Sequence, residues 1–247
     1  MPGIFGLFLE QQNPETFRDF ITPSELLNEH KSEKYLVGRS CLDKLDKDRF
    51  IETKSGVTIC FEGINLSDDI NNKEDFFTDY ENKGIDFVTE LRGSYSGFIW
   101  DENKKEIFVF NDHLASRNIF YFFDPKLGFV FSSEMKSISK LLKELKIPFT
   151  LDEQAVYMMC LYGFIFRDHT YVNEIKKLNY SSILHYDYKN QELDVKQHFT
   201  YSAKKIDVSI DEAVNEVNRL FEKSVSKIWS KAANYGKDQL SFLSGGM

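Results

Sequence analysis

The chain has 247 residues, 42% of them hydrophobic and 15% aromatic, which suits one large domain or one domain plus part of another. The net charge is −8 with acidic and basic residues interspersed, so there is no basic stripe for nucleic acid. The longest apolar run, Tyr157 to Phe166, is too short to span a bilayer. No basic-then-apolar leader opens the chain, and three cysteines (Cys41, Cys60, Cys160) without paired spacing point to a reducing, cytoplasmic setting.

Gly3 to Leu9 is apolar with glycine punctuation and reads as a buried strand, internal to its sheet because both faces are apolar. Asn13 to Lys34 is polar, contains Pro14 and Pro23, and reads as loop with a short helix. Tyr35–Gly38 and Val57–Phe61 read as strands. Lys73 to Leu91 carries Phe76, Phe77, Tyr80, Ile85, Phe87, Val88 and Leu91 at helical spacing, enough for one or two helices. Gly97–Trp100 and Glu106–Phe110 form a hairpin about Asp101–Lys105, and Tyr121–Phe123 pairs with Gly128–Phe131 about Asp124–Leu127. Two helices follow. Ser133–Lys146 has an apolar face of Met135, Ile138, Leu141, Leu142 and Leu145, and Leu151–Tyr162 starts at a Thr150 or Asp152 cap.

Strands resume at Ile175–Leu178, Ser182–Tyr188 and His198–Tyr201. Ser209 to Trp229 is a long helix opened by a Ser209/Glu212 capping box, with Val214, Val217, Leu220, Phe221, Val225 and Ile228 on one face. Gln239–Leu243 reads as a strand entering the turn Ser244-Gly245-Gly246. Strands dominating the first half, with helices outside, make the class α+β with two packed sheets. A change to helix, strand and Gly-rich turn places a domain boundary near Ala203 to Val208.

Five segments then resemble, in order, the class II glutamine amidotransferase domain of asparagine synthetases. Pro2-Gly3-Ile4-Phe5-Gly6 is similar to the family's amino terminus, in which a Cys stands where this chain has Pro2. Glu90 to Asp101 (ELRGSYSGFIWD) resembles the family's LRGMFAFALWD strand. Phe110 to Tyr121 (FNDHLASRNIFY) resembles RDPLGIRPLYY through Asp112, Leu114, Arg117 and Tyr121. Phe131 to Ile138 (FSSEMKSI) resembles FASEIKAL, and Leu243 to Met247 (LSGGM) resembles the start of the LSGGxDS pyrophosphate loop.

This resemblance implies a four-layer αββα sandwich of the N-terminal-nucleophile (Ntn-hydrolase) type over residues 1–203. Residues 204–247 would begin an α/β ATP-binding domain, cut short.

The resemblance also implies the site. In the family, the exposed N-terminal Cys attacks the glutamine carbonyl with its own α-amine as base. Pro2 has no thiol. The family's NGEIYN segment supplies an oxyanion hole from an Asn side chain and a Gly N–H. Here the matching stretch is Phe61-Glu62-Gly63-Ile64-Asn65, so Glu62 replaces the Asn while Gly63 is kept. A carboxylate only accepts hydrogen bonds and repels an oxyanion. Arg39 falls where the family clamps the glutamine carboxylate. The expectation is therefore no intact catalytic residue, with Pro2, Glu62 and Gly63 as degenerate positions and Arg39 as a carboxylate-binding residue.

Removal of Met1 would expose a prolyl amine able to act as a base, but nothing else signals that chemistry, and Pro2 reads as a replacement. Cys60 reads as a small residue on a buried strand. His113, His169, His185 and His198 are scattered without metal-ligand spacing. Arg117 and Glu134 are expected to form a structural ion pair or to line the face toward the second domain.

Ser244, Gly245 and Gly246 would form half of an anion nest for the pyrophosphate of ATP, stopping before the Asp that helps hold Mg²⁺. The parent protein would use ATP and Mg²⁺ to adenylate a carboxylate on aspartate, a peptide or a saccharide, and then form an amide. The alternative is a non-catalytic module that docks a substrate or mediates homodimerisation. Without the rest of the α/β domain, the stretch after about Val208 is expected to pack poorly, pair with another chain or show low order.

Overall fold

The computed structural model describes residues 3–9, 17–21, 26–41, 49–70 and 72–233. The expectations for Pro2, for the strand Gln239–Leu243 and for Ser244, Gly245 and Gly246 lie outside the described residues.

Residues 1–200 form one compact unit and residues 201–247 a second. In the first unit the described strands make two six-stranded sheets. The first sheet contains β1 (Gly3–Leu9), β2 (Leu26–Lys31), β3 (Leu36–Cys41), β8 (Phe120–Asp124), β9 (Gly128–Ser132) and β10 (Lys176–Lys177), in the order β10-β8-β9-β1-β3-β2. The second contains β4 (Phe50–Lys54), β5 (Val57–Asn65), β6 (Gly93–Asp101), β7 (Glu106–Asn111), β11 (Ser182–Asp187) and β12 (Glu192–Gln197), in the order β12-β11-β7-β6-β5-β4. Pairing is antiparallel throughout, and β1 is internal between β9 and β3.

The two-residue period of the strands sorts side chains into layers. On β1, Ile4 and Phe8 face the second sheet, while Phe5, Leu7 and Leu9 face outward. On β5, Cys60 faces inward, and Ile59 and Phe61 outward. The inter-sheet layer is largely aromatic: Trp100 lies 4.9 Å from Phe8 and 5.0 Å from Tyr35, and Phe129 lies 5.0 Å from Tyr186, between ring centroids.

The outer face of the second sheet is covered by α1 (Lys73–Lys83) and a 3₁₀ segment (Gly84–Glu90), through Phe76, Phe77, Tyr80, Phe87 and Val88. Asn72 caps α1 with a reciprocal Asp75. The outer face of the first sheet is covered by α2 (Met135–Glu144), through Ile138, Leu141 and Leu142. The layering is helix, sheet, sheet, helix, the four-layer α+β sandwich expected. A third helix, α3 (Glu153–Tyr162), is capped by Asp152, which accepts from the Ala155 N–H at 3.0 Å.

Several expectations change. Asn13–Lys34 is not all loop and helix, because β2 occupies 26–31. The strand expected at His198–Tyr201 is instead β12, five residues or so earlier; the His198 N–H is used by the Ser181 carbonyl at 2.8 Å. In the second unit, α4 (Ile210–Ala233) begins at the expected Ser209/Glu212 capping box. Its apolar residues Val217, Phe221 and Ile228 are exposed. Among the described residues no helix is long and apolar enough to cross a membrane.

Candidate functional site

At one end of the inter-sheet layer the aromatic packing gives way to charge. Glu62 on β5 has the same parity as Cys60, so its side chain enters the space between the sheets, where it is fully buried. Arg39 on β3 shares the parity of inward-facing Val37 and reaches Glu62 Oε2 with Nη1 at 3.7 Å. Arg49 immediately precedes β4, whose Phe50 faces the outer helix, so Arg49 turns the other way and its Nη1 lies 3.1 Å from Glu62 Oε1. Arg117 adds a third guanidinium, with Nη1 3.6 Å from the same oxygen. Side-chain exposure is 5% for Arg39, 6% for Arg49 and 25% for Arg117, so the cluster meets solvent on the Arg117 side.

Arg117 is delivered by a loop that Asp112 organises. The Asp112 carboxylate accepts from the N–H groups of Tyr95 (3.0 Å), Leu114 (2.8 Å) and Ser116 (3.2 Å), and from the Ser116 hydroxyl. These bonds fix the turn after β7 and aim the next residue, Arg117, at Glu62. Burial lowers the Arg117 pKa, Glu62 opposes that shift, and neighbouring Arg49 adds to it. The partner of Arg117 is thus Glu62 and not the expected Glu134. A carboxylate facing three guanidiniums in a low-dielectric interior is held in place: removing one member of such a buried set commonly costs about 3–5 kcal/mol.

The first strand, β1, is tied down beside this cluster. The Ile4 N–H donates to Ser133 Oγ at 3.0 Å, and the Ser133 N–H donates to the Ile4 carbonyl at 2.9 Å. Ile4 pairs with Arg39 across β1 and β3. Gly63 sits at φ 155° where a Cβ would overlap the Ser94 carbonyl and Tyr95 Cα, which explains the glycine on packing grounds.

Cys60 is buried, and burial pushes its thiol pKa well above the ordinary value. The histidines are less scattered than the sequence implies. The His113 and His198 rings stand 5.5 Å apart, and His169 Nδ1 lies 2.7 Å from Asp152 Oδ2. The structure therefore brings together Arg39 and Glu62, named from sequence, with Arg117, read there as structural. It adds Arg49, which sequence reasoning missed. Arg49 precedes a short edge strand that carries no distinctive pattern.

Residues 71–200 match the family described as glutamine amidotransferase domain. Arg117 lies inside that match, and Arg39, Arg49 and Glu62 lie before it. Over 59 residues the chain is 41% identical to glutamine-hydrolysing asparagine synthetase 2 of Bacillus subtilis (strain 168), covering 24% of this chain and 8% of that protein. Over 158 residues it is 27% identical to a Methanocaldococcus jannaschii protein provisionally named as a glutamine-hydrolysing asparagine synthetase 2, covering 61% of this chain and 30% of that one. The chain thus spans less than a third of the length of either relative.

Among solved structures, glutamine phosphoribosylpyrophosphate amidotransferase from B. subtilis, complexed with ADP and GMP, aligns with TM-score 0.46 and 12% identity. That alignment covers 79% of this chain and 49% of that chain. An allosteric regulatory enzyme of purine biosynthesis aligns with TM-score 0.47 and 10% identity, over 79% and 48%. With its family pattern covering more than half of its residues, the chain belongs to the glutamine amidotransferase domain family, in a form related to asparagine synthetases.

Proposed function

We propose that this chain is the amino-terminal part of an asparagine synthetase-like, ATP-dependent amide-forming ligase, and that its amidotransferase domain does not hydrolyse glutamine. The observation that carries this reading is the buried Glu62 carboxylate among Arg39, Arg49 and Arg117. Acyl transfer from glutamine needs neutral donors aimed at a developing oxyanion. Glu62 stands where such a donor is expected and offers only acceptors. The same carboxylate engages Arg39, the residue expected to clamp the glutamine carboxylate, so an internal acid occupies the place of the substrate's own. Pro2 removes the nucleophile.

The parent would then draw nitrogen from free ammonia or another amine, and adenylate its acceptor carboxylate with ATP and Mg²⁺ at a site that Ser244, Gly245 and Gly246 begin. The acceptor class is a carboxylate on aspartate, a peptide or a saccharide. The test is amide formation by the parent protein with ammonia and with glutamine as alternative donors. Ammonia-dependent product with none from glutamine is expected; equal use of glutamine would overturn the reading.

A second reading, a docking module without chemistry, is favoured by one observation. Tyr157, Leu161, Tyr162 and Phe164 on and after α3 are more than half exposed, and the Phe164 and Phe166 rings pack against each other at a tilt, their centroids 4.4 Å apart. An ATP-independent parent that binds its partner through this face would support it.

A further inference from the structure

We propose that the cavity lined by β8, β10, the start of α2 and the end of α3 is a binding site for a small apolar monocarboxylate, an aromatic or branched aliphatic group that ends in a carboxylate. It lies on the outer face of the first sheet, whereas the Glu62 cluster lies between the sheets, so it stands apart from how that cluster is read. The strands set its base. Lys177 on β10 stands directly opposite Phe120 on β8, so both side chains share one face. Phe120 packs there in the layer that holds Met135 of α2. α3 stops at Gly163, whose left-handed φ of 75° turns the chain into the loop that closes the cavity. The Lys177 N–H ties that loop to β10 by donating to the Asp168 carbonyl at 2.9 Å. The buried Thr170 hydroxyl, 2.8 Å from the Ile175 carbonyl, holds its far end. Met159, Phe164 and Tyr171 complete an apolar lining around about 280 Å³.

Size and chemistry select the ligand. At about 30 Å³ per liquid water, the space equals that of about nine waters, which suits a ligand of roughly ten non-hydrogen atoms and not a helix. Aromatic and methionine walls favour an apolar body, and methionine lets them adapt to its shape. The polar lining favours an anionic end. No Asp or Glu lines the cavity, while Lys177 and His169 do. His169 Nδ1 lies 2.7 Å from Asp152 Oδ2, the carboxylate that caps α3. In the neutral ring that bond puts the proton on Nδ1 and leaves Nε2 an acceptor, so Lys177 carries the recognition of an anion. Lys177 is half-buried and makes no ion pair among the described residues. An amine would set like charge against it, and a neutral compound would leave it without a counter-charge. One ammonium matches the single charge of a carboxylate better than the charge of a phosphate. Phe164, more than half exposed, stands at the solvent side.

The test is titration calorimetry of the whole chain with 3-phenylpropionate, its neutral amide 3-phenylpropanamide, 2-phenylethylamine and acetate, at constant ionic strength. Thermal unfolding serves as the second readout. 3-Phenylpropionate is expected to bind at one site at least tenfold more tightly than the amide, with no binding of the amine or of acetate. At a hundredfold excess over its Kd it should raise Tm by about 5 °C or more. Lys177→Met keeps an apolar side chain of similar length and is expected to bring the acid down to the affinity of the amide, while Lys177→Arg keeps the preference for the acid. The absence of saturable 3-phenylpropionate binding would overturn the proposal. Equal affinity for acid and amide would do so too, by showing an apolar cavity without charge recognition. An equal response to acetate, or acid binding unchanged in Lys177→Met, would place the interaction elsewhere and overturn it as well. If Lys177→Met fails to fold, the ratio of acid to amide affinity in the wild-type chain decides.

Discussion

The two ends of the inter-sheet layer lie between the same two sheets and solve opposite problems. Toward Trp100 the space is filled by Phe8, Tyr35, Phe129 and Tyr186, whose rings pack on one another while the Tyr35 and Tyr186 hydroxyls bond His30 and Gln191. Toward Glu62, strands β3 and β5 contribute Arg39 and a carboxylate to a buried ionic set. Aromatic packing is tolerant, because dispersion and apolar burial are non-directional. The ionic end is intolerant, because each charge is stable only while its counter-charge is present. A fold that needed only a core would have extended the rings to the end of β5. Here the charge of Glu62, Arg39, Arg49 and Arg117 is kept instead.

Substitutions at the two ends break this comparison most clearly. Trp100→Ala should cost about 3–5 kcal/mol, since it empties the centre of the ring layer. Glu62→Gln barely changes volume, yet it leaves three guanidiniums without their carboxylate and should cost about 3 kcal/mol by urea denaturation. Ile107→Val, in the aromatic layer, should cost only about 1 kcal/mol. If Glu62→Gln is as mild as Ile107→Val, the ionic end is not organised around Glu62. A double-mutant cycle of Glu62→Gln with Arg49→Gln sharpens the point. A coupling of about 1–3 kcal/mol is expected, against less than about 0.5 kcal/mol for Glu62→Gln with Ile107→Val.

The smallest effect is in pH. Burial lowers the pKa of both His113 and His198, with His113 depressing His198 further. The unfolded chain, with ordinary histidines near 6.5, therefore binds protons before the folded one as pH falls. The stabilisation is fully present above about pH 7 and is lost as pH drops through the lowered folded values. Tm should fall between pH 7 and pH 5, and His198→Gln should flatten that slope. An unchanged slope would show that neither ring matters to stability.

What the sequence revealed follows from how each element is buried. β1, the hairpins β6–β7 and β8–β9, and the helices α1 and α2 carry strong periodicity because each buries a full face or stripe. The missed strands β2, β4 and β12 lie at or beside sheet edges, and their sequences LLNEHK, FIETK and ELDVKQ mix polar residues on both faces. The site divides in the same way. Glu62 and Arg39 were legible from their places in family segments. Their pairing with each other, with Arg49 and with Arg117 was not. Those contacts are made by strand pairing and by the Asp112 turn, across separations that no local pattern encodes.

The central claim is that Glu62 and its arginines hold a glutaminase frame without glutaminase chemistry. Ammonia release from L-glutamine by the purified wild-type chain tests it most directly, with 6-diazo-5-oxo-norleucine labelling in parallel. The account predicts release at the buffer blank and no covalent adduct at residue 2. Release that scales with protein concentration and disappears in Arg39→Ala would contradict it.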